Sequence, residues 1–411
     1  MRRVAITGMG VVCPLGHSLT EVWEDACAGR SAIQRLQGQG RERLASPIAA
    51  AVDFDGALHF DPPKLRMLDR VSQFALVAAR HAMAQAGYAT LPGPASRAGV
   101  FLGTGMGGIG SIDEGYRTLY GEQSDRIKPF TILLGMHNAP AAWTAMEFGF
   151  SGPNMTYSTA CSSSAVAIGE AWLRLARGEI DVALAGGTEA PLALGSMKAW
   201  EALRTVASVD VQEPSASCKP FSRNRSGMVL GEGAAMLVLE PWDMAKARDA
   251  QIHGEVIGYG LFTDVGHMTR PSAAGQSAAM QAALDSAGIT AAEIDAINAH
   301  GTGTEANDSA ETSAIRAVFG AHADRLAISA TKAIHGHLLG AGSALEAVLS
   351  VLSMQHATAL PTMHLDQRDA ACDLDYVPHC ARAMPIRTML SNSFAFGGTN
   401  AVLALRAPAL A

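Results

Sequence analysis

Short apolar runs that end in glycine recur along the chain and predict buried strands followed by loops. β-branched residues or alanines fill these runs, as in VAITGMG at Val4 and VALAGG at Val182, a composition typical of strands covered on both faces. Further runs begin at Gly99, Ala234, Glu255 and Ile294. The stretches between the runs have helical spacing and predict helices over residues 20–28, 69–86, 162–177, 274–287, 307–319 and 339–355. This alternation predicts an α/β fold of mostly parallel sheets covered by helices.

A polar segment, EPWDMAKARDAQ at 240–251, interrupts the alternation. After it, strands and helices start again. We therefore interpret the chain as two halves, 1–245 and 246–411. Sequence similarity between the halves is weak, so the pattern leaves open whether they are an internal repeat.

Composition excludes several classes of protein. The chain has 411 residues, 48% of them hydrophobic, which is enough for a large core and excludes a disordered chain. Lys and Arg number 31 against 38 Asp and Glu, and the net charge of −7 argues against nucleic-acid binding. Six cysteines are scattered without a CxxC pair, so neither a zinc site nor a disulfide framework is predicted. No apolar run is long enough to span a bilayer, and we expect a soluble, cytoplasmic protein.

Cys161 lies where the strand-like stretch NMTYSTA meets a helical pattern that starts at Ser162. At a helix N-terminus, unpaired backbone N–H groups and the helix dipole favour thiolate over thiol. A buried structural cysteine is the common alternative. Small residues surround Cys161 and leave room for a substrate, so the sequence predicts a nucleophile whose sulfur is ionised.

A second segment, INAHGTGTEANDSAE, carries His300 at the end of a predicted strand. Ligands of α/β proteins bind at the carboxyl ends of strands. Thr302 and Thr304 follow in a glycine-containing loop and offer hydroxyls to a polar ligand. Taken alone, His300 is equally well explained as a hydrogen-bonded core histidine.

Two further segments add candidate groups. In ATKAIHGHLLG, Lys332 and His337 lie in a predicted loop before a helix of small residues, and His335 is interpreted as a loop residue. A solvated lysine is the alternative there. In SNSFAFGGTN, Gly397 and Gly398 permit a loop that aims backbone N–H groups at a reacting carbonyl, although such a turn is weak support by itself.

In this order, TACSSS, NAHGTGT, TKAIHGH and SNSFAFGGTN closely resemble motifs of the β-ketoacyl-acyl carrier protein synthases, in particular the elongating type II enzymes of fatty-acid and polyketide synthesis. The similarity extends over essentially the whole chain. The resemblance implies the thiolase fold, in which two similar halves form a five-layered α-β-α-β-α sandwich and dimerise through the first half. It also implies decarboxylative Claisen condensation of an acyl chain with malonyl-carrier protein.

The resemblance assigns roles to the catalytic candidates. Cys161 matches the nucleophile that accepts the acyl chain. His300 and His337 match the two histidines that hold the malonyl thioester while it loses CO2. Lys332 matches the lysine beside them, and Glu311 is expected to be its ionic partner. Two histidines separate this pattern from the initiating synthases, which have His and Asn, and from thiolases, which have a second Cys.

The resemblance also assigns the substrate groups. Thr302 and Thr304 match threonines that hydrogen-bond the phosphopantetheine arm of acyl carrier protein. Phe396 matches the gate residue whose backbone N–H completes the oxyanion hole with that of Cys161. The loop around Phe396 also supplies substrate-binding candidates, namely Phe394, Gly397 and Gly398.

Four positions depart from the family pattern. Ala395 stands where the gate loop normally has glycine, which narrows the conformations open to that loop. Met228 replaces a phenylalanine near the nucleophile, and Met106 and Met197 fall where branched or aromatic residues line the acyl tunnel. Because methionines fill irregular space, we hypothesise a pocket for an unusual chain such as a polyene or polyketide intermediate. Plain core packing is the alternative.

Acyl carrier protein is the partner that the resemblance implies, and its acidic surface requires a basic patch on this acidic chain. The carrier-docking candidates are Lys64, Arg66, Arg126, Lys128, Arg204 and Arg270. Scattered solvated cations are the alternative. No metal or other cofactor is expected, since the phosphopantetheine arm carries the substrates. We expect a homodimer; the alternative is a heterodimer with a chain-length-factor-like subunit, without which the chain is inactive.

Overall fold

Fourteen strands form in the part of the chain that this computed structural model describes, residues 1–38, 40–88 and 93–408, ten of them in one large sheet and two in each of two small sheets. The strands are β1 (Val4–Val12), β2 (Gln34–Arg35), β3 (Ile48–Ala49), β4 (Ala98–Gly103), β5 (Asn154–Tyr157), β6 (Val182–Glu189), β7 (Gly233–Pro241), β8 (Gly254–Thr263), β9 (Ala296–Asn298), β10 (Ala327–Ser329), β11 (Thr358–Ala359), β12 (Arg382–Ala383), β13 (Thr388–Phe394) and β14 (Thr399–Arg406).

Helices follow most of the strands. They are α1 (Leu19–Cys27), α2 (Pro62–Leu65), α3 (Arg70–Gln85), α4 (Ile109–Tyr116), α5 (Thr131–Gly135), α6 (Ala139–Phe148), α7 (Ser163–Ala176), α8 (Leu194–Ala202), α9 (Trp242–Ala247), α10 (Ala273–Ala287), α11 (Glu305–Phe319), α12 (Lys332–His335) and α13 (Gly342–Gln355). Among the helices of the described ranges, none is long and apolar enough to cross a bilayer. The six helices predicted from periodicity are confirmed to within a few residues at each end.

The large sheet consists of two five-stranded sheets with the same topology. The N-terminal sheet has the order β1-β7-β6-β4-β5, and the C-terminal sheet has the order β8-β14-β13-β9-β10. In each, the first three strands in that order pair antiparallel and the last three pair parallel. The prediction of mostly parallel sheets is therefore wrong, because apolar runs do not reveal strand direction. A short pairing of Val4–Ile6 with residues 254–256 joins the two sheets. The two halves are therefore a structural repeat, although their sequences are only weakly similar.

Helices form three layers around these two sheets. Helices α7 and α13 pack against each other and contact strands of both sheets, which makes them the central layer. Helix α3 covers the outer face of the N-terminal sheet with α6 beside it, and α10 covers the C-terminal sheet with α11 beside it. The structure therefore has the five-layered thiolase fold that the resemblance implied.

The central layer is apolar because it is buried on all sides. Helix α13 has no exposed residue before Gln355, and both α7 and α13 are rich in alanine and serine. A Cβ on Gly103, at the end of β4, would lie 2.3 Å from backbone atoms of Ser163 and Ser164. Only glycine therefore lets α7 begin this close to the sheet, next to Cys161.

Candidate active site

Cys161 lies in a sharp turn between strand β5 and helix α7. Residues 160–162 form one turn of 3₁₀ helix, and Ala160 has a φ of 51°, a conformation that costs an L-residue energy. Cys161 is only 7% exposed. The hydroxyl of Ser343, in the first turn of α13, donates to the Cys161 carbonyl at 2.9 Å. The two central helices therefore fix the position of the sulfur between them.

His300 and His337 approach Cys161 from the C-terminal half. His337 Nε2 lies 3.0 Å from Cys161 Sγ, and the two imidazole rings meet edge to face with centroids 5.5 Å apart. The sulfur and one ring nitrogen from each histidine lie within 4.8 Å of one another. The sequence motifs lie up to 176 residues apart, so the fold has brought the three predicted groups into one site.

Both histidines are held neutral. Burial lowers the pKa of His300 well below its usual value, and the Lys332 ammonium lowers it further. The same two causes, in the same order, lower the pKa of His337. Neutral imidazoles donate one N–H each, as stabilisation of a developing oxyanion requires.

The prediction that the Cys161 sulfur is ionised is wrong for the protein without substrate. Burial raises the pKa of the Cys161 thiol to about 12, while Lys332 and the backbone N–H of Phe396 lower it by less. The loss of hydration therefore outweighs the helix N-terminus and the nearby cation. Burial therefore favours the thiol form of Cys161 over the thiolate.

Lys332 is buried and makes two strong contacts. Its Nζ donates to the His300 carbonyl at 2.6 Å and forms an ion pair with Glu346 on α13. The pKa of Glu346 is raised to about 7, chiefly by burial. The expectation that Glu311 is the ionic partner of Lys332 is corrected: Glu346 occupies that place, because α13 presents its carboxylate directly to the ammonium. The alternative of a solvated lysine is excluded by its 1% exposure.

Glu311 has a different role. Its carboxylate accepts the backbone N–H groups of His300 at 2.8 Å and Gly301 at 2.9 Å, and it also accepts from the Asn392 amide at 3.1 Å. These bonds connect α11 and β13 to the loop that carries His300. Glu311 therefore positions His300 through its backbone, although burial raises the pKa of the carboxyl.

The 395–398 loop closes the site from one side. The Phe396 backbone N–H points to the Cys161 sulfur, and the Phe396 ring stacks on Trp200 with centroids 6.2 Å apart. Gly397 and Gly398 have φ angles of 82° and 80°, and a Cβ on Gly398 would lie 2.2 Å from the Asp264 carbonyl oxygen. The loop therefore needs glycine at 398, and this conformation places the Phe396 backbone N–H beside the Cys161 sulfur.

A pocket leads from Cys161 to the surface. Its lining includes Thr302 and Thr304, whose hydroxyl oxygens lie 2.9 Å apart, and also Met228 and Phe394. Met106 and Met197 pack with Met228 in one apolar cluster, and of the three methionines only Met228 lines this pocket. The predicted substrate-binding residues thus form two groups. Thr302 and Thr304 line the pocket with hydroxyls, and Met228 connects the pocket to the apolar cluster with Met106 and Met197.

The predicted carrier-docking residues fall in separate places. A groove between α2 and α5 is lined by Arg66, Arg126 and Lys128, and Arg270 lines the active-site pocket. Two lysines are partly neutralised by carboxylates, since Lys64 pairs with Glu147 and Lys128 with Glu114. Arg204 is at the C-terminal end of α8 with a φ of 58°. Within the described residues, Arg66 and Arg126 make no ion pair.

Sequence reasoning missed two buried carboxylates and misjudged one histidine. Glu189 accepts from the backbone N–H groups of Gly105, Met106 and Gly340 at 2.6, 2.9 and 2.9 Å, which joins the loops of the two halves beside the site. Glu346 was the other omission; it is the one charged residue in the apolar run 342–355, and that signal could have found it. His335 is not in a loop but buried in α12, bonded to Thr331 at 3.0 Å.

Comparison with known proteins agrees with the fold and the site. Residues 1–245 match the family "Beta-ketoacyl synthase, N-terminal domain" and residues 253–366 match "Beta-ketoacyl synthase, C-terminal domain". Nodulation protein E of Rhizobium meliloti (strain 1021) is 44% identical, with 98% of this chain and 99% of that protein covered. The 3-oxoacyl-[acyl-carrier-protein] synthase 2 of Coxiella burnetii is 42% identical, with 98% of each covered.

Solved structures give the same result. A type II polyketide synthase acyl-carrier protein in complex with its ketosynthase includes a chain that superimposes with a TM-score of 0.91 at 31% identity, with 99% of each chain covered. The ishigamide ketosynthase/chain length factor gives a TM-score of 0.92 at 33% identity, again with 99% of each covered.

Fold and family matches together define an acyltransferase of the thiolase fold, and its candidate site holds a thiol beside two neutral imidazoles. At the level of family, the chain belongs to the β-ketoacyl synthases.

Removal of the Glu346 charge should leave the buried Lys332 ammonium uncompensated. For Glu346→Gln we predict a loss of about 3–5 kcal/mol in the free energy of unfolding, the usual cost of breaking a buried pair on one side. Urea unfolding followed by circular dichroism measures it. The matched control is Glu179→Gln, which breaks the exposed pair with Arg174 and should cost at most about 1 kcal/mol. Equal effects of the two variants would contradict the role given to Glu346.

Proposed function

We propose that this chain catalyses decarboxylative Claisen condensation of an acyl chain held on Cys161 with malonyl-acyl carrier protein, extending the chain by two carbons. The observation that carries the proposal is the convergence of Cys161 with His300 and His337 in one buried site. The relatives named 3-oxoacyl-[acyl-carrier-protein] synthase support it.

Acyl transfer comes first. The Cys161 sulfur attacks the carbonyl of a carrier-bound thioester, and the carrier thiol leaves with the proton that Cys161 loses, so no net charge is created in the buried site. The backbone N–H groups of Phe396 and Cys161 hold the oxyanion that forms in between. A sulfur serves here because it is a good nucleophile and also a good leaving group in the later step.

Decarboxylation follows on the malonyl thioester. Loss of CO2 places negative charge on the thioester oxygen, where N–H groups of His300 and His337 donate to it. Because burial and Lys332 keep both rings neutral, they stabilise the enolate without handing over a proton. Thr302 and Thr304 hold the phosphopantetheine arm along the pocket.

Carbon–carbon bond formation completes the cycle. The enolate carbon attacks the Cys161 thioester, the new β-ketoacyl chain stays on the carrier, and the released Cys161 sulfur takes up one proton. The reaction uses no metal or redox cofactor, because the driving force comes from the loss of CO2.

Single substitutions should separate these steps. His300→Ala and His337→Ala should each lower the release of ¹⁴CO2 from labelled malonyl carrier by roughly 10²–10³, the usual cost of one lost oxyanion donor. Acyl transfer to Cys161, followed by mass spectrometry of the intact protein, should survive in His300→Ala. Cys161→Ala should abolish acyl loading. His356→Ala, which only removes a ring stacked on Trp23, is the control.

The same assay tests the alternative of a subunit that needs a partner. The isolated chain should release CO2 by itself. Release only after addition of a chain-length-factor-like subunit would replace the proposed homodimer by a heterodimer, an arrangement found in the ishigamide ketosynthase/chain length factor.

The homodimer is supported by an open sheet edge and an apolar surface beside it. Strand β5 ends the N-terminal sheet, with Asn154 and Met155 exposed. Large exposed apolar side chains on the nearby segment include Ile132, Leu133 and Met146. An unpaired edge and an apolar patch of this kind fit a second copy of the chain. Sedimentation of the isolated chain should give twice the mass of one chain.

Carrier docking is assigned to the groove with Arg66 and Arg126, whose guanidinium groups make no ion pair in the described residues. Arg66→Glu combined with Arg126→Glu should raise the apparent KM for malonyl carrier at low salt about tenfold or more and leave kcat nearly unchanged, because steering by charge acts on association. Steady-state kinetics at two salt concentrations measure this. Arg325→Glu, an exposed arginine remote from the groove, is the control; an unchanged KM in the double variant would remove this docking site.

An unusual acyl chain remains part of the proposal, since Met228 lines the pocket and packs in one apolar cluster with Met106 and Met197. Polyenoyl carriers should turn over faster than saturated C6 to C16 carriers. Met228→Phe should reverse that preference, because a rigid ring replaces a flexible thioether. The exposed Leu58 provides the control variant Leu58→Phe. Equal or faster turnover of the saturated series by the unmodified protein would discard the specialised pocket.

A further inference from the structure

Cys161, His300 and His337 also have the donor set and spacing of a metal site. One sulfur and two ring nitrogens lie within 4.8 Å of one another, all on buried residues. In the proposed reaction these groups act without a metal. The same three groups can also bind a soft or borderline metal cation, because a thiolate and two imidazole nitrogens are suitable ligands for it.

We propose that the active site binds one Zn²⁺ ion through Cys161, His300 and His337, and that this binding reversibly switches the enzyme off. The fourth position of the ion faces the pocket that leads to the surface, where water completes the coordination. Such a site, with three protein ligands and one open position, matches the coordination that zinc adopts in proteins.

The spacing requires only small movements. With Zn–S near 2.3 Å and Zn–N near 2.0 Å at tetrahedral angles, neighbouring donor atoms lie roughly 3.3–3.6 Å apart. The Sγ to Nε2 distance of Cys161 and His337 is 3.0 Å, and no pair of the three donor atoms exceeds 4.8 Å. Shifts of about 1 Å or less therefore convert this arrangement of donor atoms into a chelate.

Few hydrogen bonds hold the two imidazole rings. Their Nδ1 atoms have no hydrogen-bond partner among the described residues. Each ring can therefore carry its proton on either nitrogen without breaking a bond to the protein. On binding, the Cys161 S–H bond breaks, the sulfur bonds to Zn²⁺, and the proton passes to solvent.

The charge of Lys332 does not exclude the ion. Its ammonium is paired with Glu346, and the buried Glu311 carboxylate accepts the His300 backbone N–H. Glu189 adds a third buried carboxylate close enough to act on Cys161. The Lys332 charge that a divalent cation at the site would meet is therefore already offset by Glu346.

The experiment uses the full-length protein and Co²⁺ as a visible substitute for Zn²⁺. Titration of the unmodified protein should give one Co²⁺ per chain with the thiolate charge-transfer and tetrahedral ligand-field bands of a sulfur–nitrogen site, and Zn²⁺ should displace it. Cys161→Ala should lose the charge-transfer band, and His300→Ala should weaken Zn²⁺ binding by on the order of 100-fold, since even outer-shell losses cost 10–100-fold. Cys380→Ser, which removes an exposed thiol, should bind like the unmodified protein.

A second measurement needs no variant. Zn²⁺ should slow alkylation of Cys161 by iodoacetamide, followed by peptide mass spectrometry, and EDTA should restore the original rate. An unchanged Cys161→Ala spectrum, loss of binding in Cys380→Ser, or unprotected alkylation would each overturn the site. These readouts do not depend on condensation, so they stand or fail separately from the proposed function.

Discussion

The Lys332 ammonium, enclosed in protein, is the constraint on which the rest of the site depends. A buried cation must be paired and hydrogen-bonded, and Lys332 is satisfied by Glu346 and by the His300 carbonyl. The first contact attaches it to the central helix α13, and the second attaches it to the loop that carries His300. Burial lowers the pKa of His300 and His337 most, and the field of Lys332 lowers it further. One buried charge therefore contributes both to the position of the His300 loop and to the neutrality of the two imidazoles.

The fold explains why such a site forms between the two halves. Each half is a five-stranded sheet of the same topology, and the equivalent helices α7 and α13 meet between the sheets. Cys161 precedes α7 and His337 precedes α13, so the structural repeat brings a thiol from one half against an imidazole from the other. Glu189 and Ser343 bond across this boundary. The chemistry thus depends on how the halves pack and not on either half alone.

Much of this could be predicted from sequence, because periodicity and motif order are local properties. The apolar runs and helical spacings predicted the alternation of strands and helices. The predicted strands also placed His300 and the loop of Phe396 correctly, each after the end of a strand. The carboxylate that pairs with Lys332 could not be predicted from the sequence in this way. Glu311 and Glu346 lie 21 and 14 residues from Lys332 in sequence, on different helices, and only the packing of α11 and α13 determines which carboxylate meets the ammonium. The prediction of an ionised Cys161 sulfur was wrong for a similar reason. A helix N-terminus can be recognised in the sequence, but the burial of Cys161 cannot.

Neutrality of the two facing imidazoles is the central claim, and nitrogen NMR of ¹⁵N-histidine-labelled protein tests it most directly. The ring signals of His300 and His337, assigned by their disappearance in the two alanine variants, should show one protonated and one unprotonated nitrogen throughout a titration from pH 8 to about pH 5, well past the ordinary histidine pKa. Exposed histidines in the same sample should become imidazolium in that range. An imidazolium spectrum for either ring near neutral pH would contradict the account.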